Sequence, residues 1–226
     1  MFNSRTGDYI AVHKIIMYMK IFDVTIDLET CSLAPNAAVL QVAAVAWQRN
    51  ALASEDLFFT DVPPFDAKVD LRSCVMDGFD FDRDTCRWWS QQPEQLRQEI
   101  AGGDCYPVNE VFDNFIQWLT EVKTAHKADT LCIWSQGADF DIAILRNVLR
   151  RYNLSLPTSY RNFRDARTFI AEVGSRVILS DPSEGLADHN KIYESLPPFP
   201  EKENVHNALF DARRTSWSLW NIMSRT

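Results

Sequence analysis

Between Lys20 and Glu29 apolar and polar residues alternate, with Val24, Ile26 and Leu28 on one side and Thr25, Asp27 and Glu29 on the other. A period of two predicts a strand with one face on the core. Pro35-Asn36 predicts a turn or loop. Ala38 to Trp47 (AVLQVAAVAW) is nearly all apolar, the pattern of a central strand buried on both faces. Arg49-Asn50 reads as a turn into a third strand ending in LFFTDV (Leu57 to Val62), closed by Pro63-Pro64. Three sequential strands on short connections predict an antiparallel meander.

The spacing then changes. Thr85 to Gln92 and Pro93 to Ala101 read as short helices, with Pro93 suited to a first helical position and Gly102-Gly103 as a break. Val108, Val111, Phe112, Phe115, Leu119 and Val122 recur every three or four residues and predict an amphipathic helix. Thr130 to Ser135 (TLCIWS) reads as a buried strand with a turn at Gly137. Another helix follows from Asp139, with Leu145, Val148, Leu149 and Tyr152 inward and Arg146, Arg150 and Arg151 outward. Asp165 to Val173 is expected to be helical and to end at Gly174. Residues 175–204, with DPSEG and SLPPFPEKEN, read mainly as loop, and a loop that long is usually functional. A last helix is predicted from Asn207 to Ile222 through Leu209, Ala212, Trp217 and Trp220. Strands followed by alternating helix and strand give one α/β domain with a mixed sheet over residues 20–226, preceded by an extension at 1–19.

Composition narrows the class. The chain has 226 residues, 46% of them hydrophobic and 12% aromatic, enough for a packed core. Its net charge of −8 argues against a simple duplex-binding module, which presents a basic face. Five scattered cysteines without a Cys-x-x-Cys pair give neither a disulfide framework nor a thiolate zinc site. The apolar patch Ile15 to Met19 is too short to span a membrane and lacks a cleavage site. A soluble, cytoplasmic protein with no membrane partner is expected.

Candidate chemistry starts at Asp27 and Glu29, which leave one face of a strand together and repel unless a cation sits between them. Asp141 falls in the first turn of a helix that begins where a strand ended, the edge at which open α/β sheets place ligands. His206 stands at the entrance of the last helix, five residues before Asp211. Five residues is too large a rotation for the two side chains to share one helical stripe. They converge only if His206 lies on the preceding loop and reaches back. Taken singly, each of these residues has an ordinary structural explanation as a solvated pair, a helix-start acid or a capping histidine. No Gly-rich phosphate loop, Gly-x-Ser-x-Gly elbow or His-Glu-x-x-His is present.

Taken together, Asp27-Leu28-Glu29-Thr30, Gly137-Ala138-Asp139-Phe140-Asp141 and His206-Asn207-Ala208-Leu209-Phe210-Asp211 resemble the DEDDh 3′–5′ exonucleases, of ribonuclease H-like fold, in order and spelling. Within that superfamily the spelling DLET…PNAAVL, the Trp88-Trp89…Gln92 element and ALFDARR look most similar to the phage exonuclease A and exodeoxyribonuclease VIII group, which also includes bacterial exoribonuclease-like members. The resemblance implies two divalent ions, Mg²⁺ or Mn²⁺, held by Asp27, Glu29, Asp141 and Asp211. Asp27 would bridge both ions, Asp141 would act mostly through water, and His206 would be the general base. It implies single-stranded 3′ ends as partners and nucleoside 5′-monophosphates as products, with DNA favoured on the phage-like spelling and RNA the alternative. A non-catalytic binding module would lack one of the five positions, and all five are filled.

Leu28, Thr30, Asn36, Trp88 and Phe140 are candidate contacts to the terminal nucleotide. Because adjacent residues cannot both face one side of a helix, at least one of Trp88 and Trp89 belongs to the core. Arg161, Arg164 and Arg167 form a short basic segment facing solvent or phosphate.

Met17 and Met19 sit just before the first strand. Removing residues 1–16 is therefore expected to leave both the melting transition and nucleotide release intact; an insoluble or inactive truncation would refute this boundary.

Overall fold

The computed structural model describes residues 19–49, 61–178, 189–202 and 204–226. Strand β1 (Ile21–Thr30) runs antiparallel to β2 (Val39–Trp47), from Asp23 opposite Trp47 to Glu29 opposite Gln41. Strand β3 (Phe65–Val69) is antiparallel to β2, and the two-residue β4 (Cys105–Tyr106) lies parallel outside it. On the other flank of β1, β5 (Thr130–Ser135) and β6 (Phe163–Asp165) are parallel additions. Among the described residues the mixed sheet thus has the order β4-β3-β2-β1-β5-β6.

The helices are α1 (Leu71–Met76), α2 (Arg83–Ser90), α3 (Glu94–Ala101), α4 (Val108–Ala125), α5 (Asp141–Arg151), α6 (Ala166–Phe169), α7 (Ser175–Ile178), α8 (His189–Ser195) and α9 (Ala208–Met223). One core joins the apolar face of β1 (Val24, Ile26, Leu28) to β2 and to the α4 stripe Val111, Phe112, Phe115 and Leu119. A second core joins Trp47, Cys132 and Trp134 to Trp217, Leu219, Trp220 and Ile222 of α9. None of the described helices is long and apolar enough to cross a membrane.

The alternation along β1 predicts a strand with one buried face, yet both faces are covered. Asp23 and Thr25, on the polar side, are fully buried beneath this second core. Indoles and a guanidinium make that possible. Asp23 Oδ1 accepts from Trp134 Nε1 at 2.7 Å and forms a two-point ion pair with Arg49, while Thr25 Oγ1 accepts from Trp47 Nε1 at 2.9 Å. Buried polar groups require such partners.

Other expectations change in detail. Residues 57–60 of the expected third strand lie outside the described residues. Pro63-Pro64 does not end the meander but precedes β3, whose pairing with β2 begins at Phe65, so neither proline has to donate a ladder hydrogen bond. Pro93 is a helix N-cap with φ −49° and ψ 139°, not a first helical residue. The helix expected from Asp139 begins at Asp141, with Phe140 in the cap position. The helix from residue 166 does not stop at Gly174 but passes through a π-helical stretch, Ile170–Gly174, into α7. Gly174 is a packing position: a Cβ there would meet Ile192 Cγ2 at 2.8 Å and Ile222 Cδ1 at 3.1 Å. The segment expected to be loop contains α7 and α8. Strands β4 and β6 have two and three residues, too short to show a period.

Replacing Asp23 with alanine strands the Arg49 guanidinium and the Trp134 indole, so we expect a loss of about 3 kcal/mol, the lower end for a broken buried ion pair. Urea unfolding at unchanged m-value measures it.

Candidate active site and metal centre

The polar side of β1 continues upward from Asp23 and Thr25 to Asp27 and Glu29, and there the ion-paired Asp23 gives way to a group of neighbouring acids. Asp211 joins them from the first turn of α9. One carboxylate oxygen from each of Asp27, Glu29 and Asp211 lies within 4.8 Å of the other two. Alpha-helix α9 is held in that place by Gln41, which pairs in register with Glu29. Its Oε1 accepts the Ala208 N–H at 3.0 Å, and its Nε2 is itself anchored on Asp66 at 2.8 Å. Asn207 caps the helix through the N–H groups of Leu209 and Phe210.

Asp141 arrives from the other side. Strand β5 pairs with β1 only as far as Trp134, so the edge of β1 is open beyond Thr25. Asp141 Oδ1 takes the Leu28 N–H at 3.2 Å, and the side chain is 3% exposed. Asp141 does not belong to the tight group of three, but it lines the same cleft and its charge reaches Asp27.

His206 sits on the loop before α9 with a left-handed backbone, φ 65°. Its N–H donates to Asp211 Oδ2 at 2.8 Å, and its exposed ring meets the edge of Trp88 with centroids 4.8 Å apart. The five-residue spacing is thus resolved by loop geometry, as the rotation argument requires.

Burial and mutual repulsion act on the acids in the same direction. Burial first, then the carboxylates of Asp141, Glu29 and Asp211, hold the Asp27 carboxyl well above its usual range, with Arg214 opposing. Glu29 is pushed up to about 8 by burial and then by Asp211 and Asp141. Burial raises Asp141 to about 7 against the Leu28 hydrogen bond and the nearby Arg167. Burial also raises Asp211, opposed by Arg214, whose Nη2 lies 2.7 Å from Asp211 Oδ1. Four acids crowded this way, hard oxygen donors on one cleft of about 370 Å³, fit a hard divalent cation.

A second depression of about 420 Å³ adjoins the first and shares Leu28, Glu29 and Phe140 with it. Thr30, Leu33, Trp88 and Trp89 line this second depression further, with Asp82, Asp84 and Thr85 from the start of α2 on its rim. The adjacent tryptophans divide as their spacing demands. Trp89 is 8% exposed and donates its Nε1 to the Thr30 carbonyl at 2.8 Å, whereas Trp88 is 38% exposed and faces His206. Asn36 is the exception among the expected contacts. It lines neither depression; its carbonyl instead accepts the Asp80 N–H at 2.9 Å beside the Ala37–Asp80 bridge.

Three residues of the site carried no weight in the sequence. Gln41 was visible as the polar residue in an otherwise apolar strand. Arg214 was visible as the cation three residues after Asp211. Gln136, whose Oε1 accepts from Tyr193 at 2.8 Å and Thr215 at 2.9 Å, had no local signal because its partners are distant in sequence.

A family model described as the 3'-5' exoribonuclease Rv2179c-like domain matches residues 22–223. The chain belongs to this family. An exodeoxyribonuclease of Enterobacteria phage T4 is 29% identical over 131 residues, 57% of this chain and 56% of the phage protein. The chain therefore spans about half the length of the curated relative it matches. Among solved structures, cell-death related nuclease 4 superposes with TM-score 0.59 at 15% identity, covering 92% of this chain and 66% of that one. The nuclease domain of 3'hExo, a DEDDh family member bound to rAMP, gives 0.58 at 12% identity, covering 92% and 93%. E. coli Exonuclease I with a 5cy-dA13 oligonucleotide gives 0.58 at 12% identity, covering 92% and 41%. These likenesses establish the ribonuclease H-like fold.

A carboxyl that holds its proton more tightly when folded stabilises the fold at low pH. That contribution fades as pH rises from the unfolded value near 4 through the folded values. With Glu29 near 8 and Asp141 near 7, the metal-free protein in EDTA should melt at a lower temperature at about pH 8.5 than at about pH 6. Asp27→Asn should narrow the difference. Saturating Mg²⁺ should offset it at the higher pH, by about 2.7 kcal/mol at a hundredfold excess over Kd. Scanning calorimetry with and without EDTA reads all three.

Proposed function

We propose that the protein is a metal-dependent 3′–5′ exonuclease that removes nucleoside 5′-monophosphates from single-stranded nucleic acid. The observation that carries this reading is the convergence of Asp27, Glu29 and Asp211 within 4.8 Å, with Asp141 and His206 on the same cleft. Asp27, Glu29 and Asp211 would hold divalent ions directly, with Asp141 supporting the second. Two such ions supply neutralisation of the attacking and leaving oxygens in phosphodiester hydrolysis.

The remaining work falls to the chain's own groups. His206 stands outside α9 with its exposed ring beside the acids and against Trp88, placed to take a proton from the attacking water. The Asp211 carboxylate fixes the backbone that carries it. Leu28, Trp88 and Phe140 offer apolar surface and Thr30 a polar edge in a depression that Asp82 and Asp84 also line, suited to stacking and shape recognition of a terminal nucleotide. Hydrolysis breaks the bond between phosphorus and the 3′ oxygen of the preceding nucleotide, which leaves with a proton as a new 3′-hydroxyl. The 5′-phosphate stays with the released nucleotide.

DNA is the favoured strand on the similarity to the phage exodeoxyribonuclease, and RNA is the alternative carried by the family description. A contact to the 2′-hydroxyl separates them.

Labelled single-stranded DNA and RNA incubated with Mg²⁺, Mn²⁺ or EDTA test the proposal. Mononucleotide release in metal and none in EDTA is expected, and no release from either strand would sink it. Asp27→Ala should abolish release while the metal-free fold melts no earlier, because a repelling charge is removed.

A further inference from the structure

The arginines of this acidic chain are unevenly placed. Residues 142–167 hold six of its 23 Lys and Arg (Arg146, Arg150, Arg151, Arg161, Arg164 and Arg167) but one of its 31 Asp and Glu, Asp165. That stretch is most of α5, the following connection, β6 and the start of α6, so folding puts it along the outer edge of the sheet, next to the cleft.

Three of the six are engaged within the fold. Arg151 donates to the Asp77 carbonyl and lies 4.5 Å from the Phe79 ring centroid. Arg150 Nε donates to the Arg146 carbonyl, and Arg164 braces the 3-10 turn Tyr160–Asn162 through the carbonyls of Arg161 and Phe163. None of the six forms an ion pair with a carboxylate among the described residues, and Arg167, Arg146 and Arg161, all exposed, are the three that lie along one path from the cleft.

Their positions step away from the cleft. Arg167 lines it, with Nη2 donating to the Gln136 carbonyl at 3.1 Å. Asp165, at the end of β6, accepts the Ala138 N–H at 2.6 Å beside that rim. Phe163 points to the same face of β6 as Asp165, roughly 6–7 Å back along the strand. The Arg146 guanidinium lies over the Phe163 ring at 4.9 Å. Arg161 follows in the preceding turn, its guanidinium 5.8 Å from the ring of Tyr160, which is 65% exposed. Charges on an edge strand also keep it from pairing with another chain, but charges of either sign would do that. A single sign with aromatic seats is the composition of a surface for single strands.

We propose that this arginine edge is the track for the strand upstream of its 3′ end, with phosphates on Arg167, Arg146 and Arg161 and a base stacked on Tyr160. The proposal rests on the exonuclease reading of the cleft. It also supplies what that reading lacks, because a cleft of four carboxylates repels a polyanion until it leaves the acids, and a local basic edge draws it in.

Fluorescence anisotropy in EDTA, with labelled single strands of about three and about twelve nucleotides, tests the track without any hydrolysis. The wild type should bind the longer strand more tightly. Arg146→Ala/Arg161→Ala should lose most of that gain, and its slope of log affinity against log salt should fall by about 1.4, the value for two single-strand phosphate contacts. The control Arg72→Ala/Arg225→Ala, exposed arginines outside the segment, should keep both, and Arg146→Lys/Arg161→Lys should keep most of the gain. If the double alanine variant melts early, Arg161→Ala alone, in its exposed turn, carries the test. A length gain and salt slope that survive in the alanine variant, or that fall equally in the control, overturn the track. Arginine-dependent binding by a protein that releases no nucleotide would instead overturn the exonuclease reading alone.

Discussion

The polar side of β1 is the constraint on which the rest of the molecule depends. Asp23, Thr25, Asp27 and Glu29 follow one another along one face of a central strand and are covered by α9. A polar group buried there costs stability unless something satisfies it. At the lower end the fold provides Arg49 and the indoles of Trp134 and Trp47. At the upper end the described residues provide no comparable set of donors to Asp27 and Glu29, and two more acids join them. The strand is thus anchored at one end by complete pairing and left electrostatically frustrated at the other. A divalent cation relieves that frustration, which is why the stress lies where ligand binding would be expected.

The same geometry explains how pieces remote in sequence meet with useful accuracy. Gln41 ties the first N–H of α9 to the strand opposite Glu29, so Asp211 is placed relative to Glu29 through one side chain. Asp141 is located by the Leu28 N–H, in the gap where β5 has stopped pairing with β1. Arg214 lies against Asp211 and lowers the repulsion felt by Asp27, so it partly compensates the acids. Gln136 links the end of β5 to Tyr193 of α8 and Thr215 of α9, tying the late segment to the floor of the cleft.

Much of the long-range plan was legible because it is written in periodicity. β5 occupies the residues its apolar run predicted, Thr130–Ser135, and α4 follows the stripe from Val108 to Val122. The last helix begins one residue after its expected start. What escaped was short or locally contradictory. β4 and β6 pair too few residues to display a period, and Gly174 reads as a helix stop although it is a packing contact with Ile192 and Ile222. The second burial of β1 escaped for a different reason: alternating polarity signals solvent on one face unless the partners of the polar groups are known.

For the site, the residue types and their order were present in the linear chain, and so was the deduction that His206 must lie off the helix to meet Asp211. Helical rotation is a local property, and local properties are readable from spacing. Which acids gather tightly, with Asp27, Glu29 and Asp211 close and Asp141 behind, was decided only by the register of α9 on the sheet and the end of β5 pairing. The split between Trp88 and Trp89 followed from helix geometry in principle, but which of them faces the cleft depended on where α2 packs. Asn36, seven residues after Glu29, has its carbonyl tied to the Asp80 N–H instead. Sequence by itself determined the chemistry available, since side-chain identity and local period do not depend on distant partners. Tertiary structure decided which of those groups share a cleft, because that requires distances between residues more than a hundred positions apart.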